Sequence, residues 1–197
     1  MRVLLVVGWL LIPVAAGLWH YGPGQEQMQL DAAAEVLARA DQCVAAQDWT
    51  EAVNLYDEAL KRLPAGKVVE QRRIRLEKCK AQLLAHQLPE AHAELRTLVE
   101  ELQVEEGTPT DLLTEARATQ AQSQYYMTWL MRLEGQPREV WEPEIEAARQ
   151  TYRLLEEHAE ASGDTQATRK NQEDLESAIR LARLDLNELQ GLPIPSQ

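Results

Sequence analysis

The sequence contains no phenylalanine and only two cysteines, and it has just 9 glycines and 9 prolines among 197 residues. Alanine, leucine, glutamate, glutamine and arginine are abundant instead, and because these residues are strong helix formers they predict an all-α fold. The composition is 45% hydrophobic and 26% charged, which is typical of a folded chain. The length is sufficient for one domain with a hydrophobic core.

Basic residues are also scarce, since 20 Lys and Arg stand against 32 Asp and Glu, for a formal net charge of −12. A surface of this sign repels phosphate groups. The sequence shows no basic stripe interleaved with aromatic residues, so nucleic-acid binding is not expected.

Signals for catalysis or metal binding are missing as well. The histidines His20, His86, His92 and His158 are too scattered to match the spacing of known zinc ligands. No phosphate-binding glycine loop, nucleophile elbow or H-E-x-x-H helix occurs. We therefore expect a protein that is not an enzyme, with no cofactor, no metal and no small-molecule substrate.

The N-terminal stretch Val3 to Trp19 carries no charge and follows Arg2. Its length barely reaches the lower limit of about 17 residues for a transmembrane helix. Aromatic residues at its end, Trp19 and Tyr21, favour the headgroup region of a membrane. The positive charge before the stretch predicts a cytoplasmic N-terminus, with everything after Gly22 outside the cytoplasm, in the periplasm.

A cleaved signal peptide explains the same stretch. Leu4 to Ile12 would be its apolar region, and Val14-Ala15-Ala16 offers small residues for cleavage. Residues 1–22 are thus interpreted as a single-pass membrane anchor or as a signal peptide. The second alternative gives a secreted or periplasmic protein.

The segment Asp48–Pro64 carries the clearest repeated pattern. Ala52, Tyr56, Ala59 and Pro64 follow one another at spacings of four, three and five, which places the first three on one helical face. The segment resembles the second helix of a tetratricopeptide repeat. Related elements follow along the chain; the residues that define the pattern are Ala40, Trp49, Ala52, Tyr56, Ala59, Pro64, Ala91, Leu95, Leu98, Ala148, Tyr152 and Leu155.

This resemblance implies an α-solenoid of about three antiparallel helix hairpins over residues 23–162, followed by a C-terminal capping helix over residues 163–190 and an extended tail over 191–197. We expect Gly22-Pro23-Gly24 to interrupt any helix. The helices are predicted over residues 25–46, 50–63, 68–86, from 88 onward, 110–134, 141–161 and 165–190, with Thr50 as one cap and Thr110 or Asp111 as another.

Two groups of residues are candidates for binding a partner. Six basic residues lie between Lys67 and Lys80, and they either bind an acidic segment or a terminal carboxylate, or form a solvated face balanced by acidic neighbours such as Glu70 and Glu77. The second group is an aromatic cluster on the long fifth helix, of which one or two members are expected to face a partner. The residues chosen from the two groups are Arg72, Arg73, Arg75, Lys80, Tyr126 and Trp129.

The two cysteines, Cys43 and Cys79, lie in the first helices of adjacent predicted hairpins. A compartment outside the cytoplasm permits a disulfide between them. The spacing of packed helices, about 8–10 Å, favours free thiols instead.

Taken with the membrane signal, the resemblance implies a membrane-anchored scaffold or adaptor that binds protein partners outside the cytoplasm. The alternative is a structural component of an envelope or secretion complex that associates with itself through its helices.

Overall fold

The computed structural model describes residues 23–185, residues 188–189 and Trp9. Within these residues the chain is entirely helical, with no strand. Residues 23–185 contain seven helices, and their bounds are α1 Pro23–Ala45, α2 Trp49–Arg62, α3 Val68–Leu84, α4 Leu88–Val104, α5 Thr110–Leu133, α6 Arg138–Ser162 and α7 Thr165–Arg183. The all-α prediction is therefore confirmed.

The chain divides into two compact units, with the boundary between Ile74 and Arg75 inside α3. In the first unit, α1 packs against α2. In the second unit, α5 packs against both α4 and α6, and α6 packs against α7. The second half of α3 shares a buried cluster with α4 and the start of α5, and that cluster includes Leu76, Cys79, Leu95, Leu98 and Leu112.

The residues that define the repeated pattern lie where the pattern predicts, in the helix interfaces. All of them are buried except Trp49 and Pro64, which are half-buried. Alanines such as Ala52, Ala59 and Ala91 are fully buried, because a methyl side chain lets a neighbouring helix come close. The core-facing side of each of these helices was thus predictable from spacing alone.

The first two hairpins turn in the same way. Gln47 and His86 both adopt the left-handed conformation, with φ of 60° and 61°. The next backbone N–H in each case donates to a carbonyl five residues earlier, Asp48 to Cys43 at 2.8 Å and Gln87 to Gln82 at 2.9 Å. This is the Schellman arrangement that ends a helix and satisfies its last carbonyls. The two turns are 39 residues apart (86 − 47), which is the offset that separates Ala52 from Ala91.

The helices α5 and α6 end in the same arrangement, but with glycine at the left-handed position. Gly135 and Gly163 have φ of 71° and 75°, values that a residue without a Cβ adopts at little cost. The amide N–H groups of Gln136 and Asp164 complete the turns.

Several predicted helix ends were wrong. Pro23 and Gly24 lie inside α1 rather than interrupting it, because a proline in the first turn lacks only a donor that has no helical partner there. Asp48, not Thr50, caps α2: its carboxylate accepts from the Glu51 N–H at 3.3 Å. At the start of α5 the capping position is occupied by Pro109, and no side chain caps the helix.

The last two helices also differ from the prediction. The helix α6 begins at Arg138, three residues early, and includes Pro143. The helix α7 ends at Arg183 rather than near Gln190, because Leu184 takes an extended conformation with ψ of 146°. Beyond it, Leu189 is fully buried in the same cluster as Ile145. The predicted tail over residues 191–197 lies outside the described residues.

The predicted membrane segment lies outside the described residues too, apart from Trp9. Within the described part of the chain, no helix combines the length and the apolar character needed to cross a membrane.

Candidate functional site

The basic residues predicted to bind a partner are engaged within the chain. Arg75 reaches from α3 to α4, with its Nε 2.5 Å from Glu94 and its Nη1 2.6 Å from Glu101. Burial alone would lower the pKa of the Arg75 guanidinium, but the hydrogen bonds to Glu101 and Glu94 outweigh it and raise that pKa. Only 16% of the Arg75 side chain is exposed. This arginine therefore contributes to helix packing.

Lys80 is held in a similar way. Its Nζ lies 2.7 Å from Glu77 on the same helix and 2.6 Å from Glu115 on α5. Burial opposes the charge of Lys80, but hydrogen bonds to Glu115 and Glu77 raise the pKa of its ammonium group. The two carboxylates outnumber the one ammonium group, so the trio carries a net negative charge.

The remaining basic residues of this group are not isolated either. In the first unit, Lys67 lies 3.4 Å from Glu26 of α1. Arg72, Arg73 and Lys78 each interact with other residues of the chain. The ion pair between Lys80 and Glu77 agrees with the second interpretation of these basic residues, in which acidic neighbours balance their charge.

The second unit contains an open groove of about 570 Å³. Its walls come mainly from α5 and α7, with one residue each from α3 and α6. It lies where three consecutive helices pack side by side, and we call it the tyrosine groove. The residues that line it are Lys80, Glu115, Ala118, Thr119, Gln122, Tyr125, Tyr126, Tyr152, Lys170, Asn171, Asp174 and Ser177.

Three tyrosines give the groove its aromatic character. Tyr125 and Tyr126, adjacent on α5, meet edge to face with ring centroids 5.6 Å apart and an interplanar angle of 77°. Tyr152 of α6 is only 5% exposed and belongs to the core as well as to the groove lining. Burial raises the pKa of the Tyr125 and Tyr152 hydroxyls, so both remain neutral.

Asp174 supplies the groove's partly buried carboxylate. Burial raises the pKa of this carboxyl, Lys170 one turn earlier partly opposes the shift, and Glu173 adds to it. Lys170 is exposed, whereas Asp174 is half-buried. Among the described residues, no hydrogen bond or ion pair engages the Asp174 carboxylate.

Of the two aromatic residues predicted to bind a partner, only Tyr126 lines this groove. Trp129, one turn later on α5, packs against the buried cluster that holds Trp141 and Ile145. The α7 residues Lys170, Asn171 and Asp174 also line the groove, although nothing in the sequence marks them as binding residues. They belong to an unremarkable polar helix, and only its packing against α6 brings them to the tyrosines.

A serine, a histidine and a glutamate also meet in the second unit. His92 Nδ1 lies 3.2 Å from the Ser123 hydroxyl, and His92 Nε2 lies 3.6 Å from Glu144. Ser123 is fully buried and donates its hydroxyl to the Gln120 carbonyl at 2.7 Å. Because no substrate atom can reach that oxygen, we assign this trio a packing role rather than nucleophilic catalysis.

Both cysteines are free thiols. Cys79 is fully buried, and burial, with a smaller effect of Glu94, raises the pKa of its thiol to about 12. Cys43 is half-buried. No group of acidic, histidine or cysteine side chains within the described part of the chain could hold a metal ion.

Comparison with protein-family models gives no match for this chain, and comparison with curated protein sequences gives none either. The tyrosine groove must therefore be interpreted from its own geometry.

Proposed function

We propose that this protein is a non-enzymatic scaffold or adaptor, built as a tetratricopeptide-like helical repeat, that binds a segment of a protein partner in the tyrosine groove. The observation that carries the proposal is the groove itself: an open concavity of about 570 Å³ with three tyrosines between consecutive helices. Tyrosine is among the residues that contribute most to protein interfaces, because it buries a large ring and keeps a polar hydroxyl.

The repeat assignment rests on two further features. The helices pack on their neighbours in chain order within each unit, as in helical repeats. The first two hairpins share a turn at an offset of 39 residues, and Ala52 and Ala91 are fully buried at the same offset. An α-solenoid of three hairpins with α7 as its capping helix is consistent with both.

We also propose that the apolar stretch Val3–Trp19 attaches the chain to the cell membrane and that the helical region lies in the periplasm. Support comes from the uncharged stretch and from Arg2 before it. Protease added to cells with a permeabilised outer envelope should digest the helical region, while a cytoplasmic marker protein stays intact. Protection of the helical region equal to that of the marker would contradict the proposed location.

Site-specific photo-crosslinking tests the binding function. A benzoylphenylalanine replaces Tyr126 in the full-length chain, and a matched variant carries it at Glu157, an exposed position on α6 that does not line the groove. Illumination of intact cells should give discrete adducts from position 126 and none from position 157.

The same experiment separates the two proposed classes of protein. An adduct with the mass of two copies of the chain would support the self-associating structural component instead. Absence of any adduct from position 126, or equal adducts from both positions, would contradict partner binding in the groove.

A further inference from the structure

Some charged side chains around the tyrosine groove have ion-pair partners within the chain, and others do not. Lys80 is bonded to both Glu77 and Glu115, so no basic charge is left over there for an acidic ligand. On the opposite wall, no ion pair joins Lys170 to Asp174 in the described residues, although they lie one helical turn apart. Lys170 is exposed, whereas Asp174 is half-buried. The half-buried carboxylate of Asp174 is therefore a negative charge that a ligand in the groove can neutralise.

Asp174 and the three tyrosines line the same groove. The negative charge of Asp174 also adds to the rise in the pKa of the Tyr152 and Tyr125 hydroxyls that burial causes. Neutral aromatic rings attract cations to their faces, and they do so more strongly when water is excluded. A carboxylate beside several tyrosines is thus suited to a cationic side chain.

We propose that the tyrosine groove binds an arginine side chain of the partner protein, with its guanidinium paired to Asp174 and packed against the ring of Tyr126. Arginine fits better than lysine because its guanidinium is planar, is weakly hydrated and donates two parallel hydrogen bonds to one carboxylate while stacking on an aromatic ring. The chain's net charge of −12 favours the approach of a basic segment. This inference rests on the proposed function, because it names the chemistry of the partner.

A basic ligand has the opposite charge to the acidic partner that the basic residues suggested from the sequence. One interpretation of the basic residues from Lys67 to Lys80 was that they bind an acidic partner, but the side chains of Arg75 and Lys80 are held by carboxylates of the same chain. The groove offers instead the carboxylate of Asp174, which has no hydrogen bond or ion pair among the described residues.

The test uses the full-length protein in detergent and two short peptides, acetyl-Gly-Arg-Gly-amide and its analogue with citrulline. Citrulline has the shape of arginine without the charge. Ligand-observed NMR at pH 7.5 should give a dissociation constant about tenfold lower for the arginine peptide, the difference expected for a partly buried charge pair with an aromatic contact. Equal binding of the two peptides would overturn the proposal, as would tighter binding of acetyl-Gly-Asp-Gly-amide.

Variants locate the binding to the groove. Asp174→Asn should lower the affinity for the arginine peptide to that for the citrulline peptide. Tyr126→Leu should lower the affinity for the arginine peptide as well. Lys170→Gln should raise the affinity for the arginine peptide, because a positive charge that competes for Asp174 is removed. Glu176→Gln removes an exposed acid from the same helix outside the groove lining and should leave the affinity unchanged. Equal effects of Asp174→Asn and Glu176→Gln would show a general charge effect and overturn the proposal.

Circular dichroism checks that each variant is folded. Even if Asp174→Asn failed to fold, the comparison of the two peptides and the gain expected for Lys170→Gln would still decide the matter. Tighter binding of free arginine than of the arginine peptide would point to a small-molecule ligand and overturn the assignment to a protein segment.

Failure of this inference is distinguishable from failure of the proposed function. Specific adducts from position 126 together with equal binding of the arginine and citrulline peptides would leave the scaffold function standing and remove only the arginine. Selective binding of the arginine peptide without any adduct from position 126 would remove the protein partner and leave only the preference of the groove for arginine.

Discussion

The guanidinium carbon of Arg132 lies 4.7 Å from the centroid of the Trp141 ring. The same guanidinium donates hydrogen bonds to the carbonyls of Leu181 and Leu184, at the end of α7. These carbonyls lie at a helix C-terminus, where backbone acceptors have no partner within the helix. Arg132 of α5 therefore joins α6 and α7 by one cation–π contact and two charge-assisted hydrogen bonds. Burial lowers the pKa of its guanidinium, while Asp185 opposes the shift.

Replacing Arg132 by methionine should destabilise the second unit by about 2–4 kcal/mol, because hydrogen bonds from a charged donor are lost and buried carbonyls remain unpaired. Urea unfolding of the full-length protein in detergent measures the change. Arg138→Met is the matched control, because Arg138 is an exposed arginine whose ion pair with Glu142 lies within one helix. An equal shift of the unfolding midpoint in the two variants would contradict the role assigned to Arg132.

Arg75→Gln should also destabilise the fold, by about 1–2 kcal/mol, because the charged links from α3 to Glu94 and Glu101 of α4 are lost. The two carboxylates are over a third exposed, so water screens part of the effect. The control Arg169→Gln breaks an exposed pair with Glu173 and should change stability by no more than about 0.5 kcal/mol. Urea midpoints that do not separate the two variants would refute the prediction.

Arg75 is a poor position for variants that test partner binding, because its side chain links α3 to α4. A charge reversal at Arg75 would disturb the packing of α3 on α4 as well as any surface contact. Loss of a partner in an Arg75→Glu variant is therefore not evidence of direct binding. Variants at Tyr126 and Asp174 are better suited to that purpose, because both residues line the groove.

The two thiols should react at very different rates. The pKa of the Cys79 thiol rises from 9.0 to about 12, which lowers the thiolate fraction at pH 8 by about a thousandfold, and the side chain is fully buried. The Cys43→Ser variant should consume maleimide only on unfolding, whereas Cys79→Ser, which retains the half-buried Cys43, should react in the native state. Comparable native-state rates for the two variants would show that Cys79 is accessible.

Glu144 should contribute to stability in a pH-dependent way. The interaction with His92, whose Nε2 lies 3.6 Å from the carboxylate, lowers the pKa of this carboxyl below its ordinary value of 4.5, although burial opposes the shift. A carboxyl with a depressed folded-state pKa stabilises the fold above its unfolded-state pKa. That contribution is lost as the pH falls from about 4.5 through the lower, folded-state value.

Urea midpoints measured from pH 6 to pH 3 test this dependence. The unmodified protein should lose stability more steeply below pH 4.5 than the Glu144→Gln variant does. Glu142→Gln, in which the lost carboxylate pairs with exposed Arg138, serves as the control and should keep the slope of the unmodified protein. Parallel curves for the unmodified protein and Glu144→Gln would mean that His92 does not hold this carboxylate in solution.

The sequence by itself determined the helical class and the buried faces of the helices. Spacings of three and four place Tyr56, Leu95 and Tyr152 toward the core, because the period of the helix fixes which side chains share a face. It also placed two helix ends, at residues 134 and 161, close to Gly135 and Gly163, which adopt positive φ at little cost. These are local properties, so a short stretch of sequence is enough to specify them.

Only the tertiary structure decided which charges remain for a ligand and where the last helix ends. Arg75 and Lys80 look alike in sequence as binding residues, yet carboxylates on α4 and α5, 19 or more positions away, engage them. Helix packing brings Asp174 into the same groove as the tyrosines. It also brings the guanidinium of Arg132 to the carbonyls at the end of α7, which lie about fifty positions later in the sequence. Electrostatic pairing depends on distance in space, and the order of residues along the chain does not fix that distance.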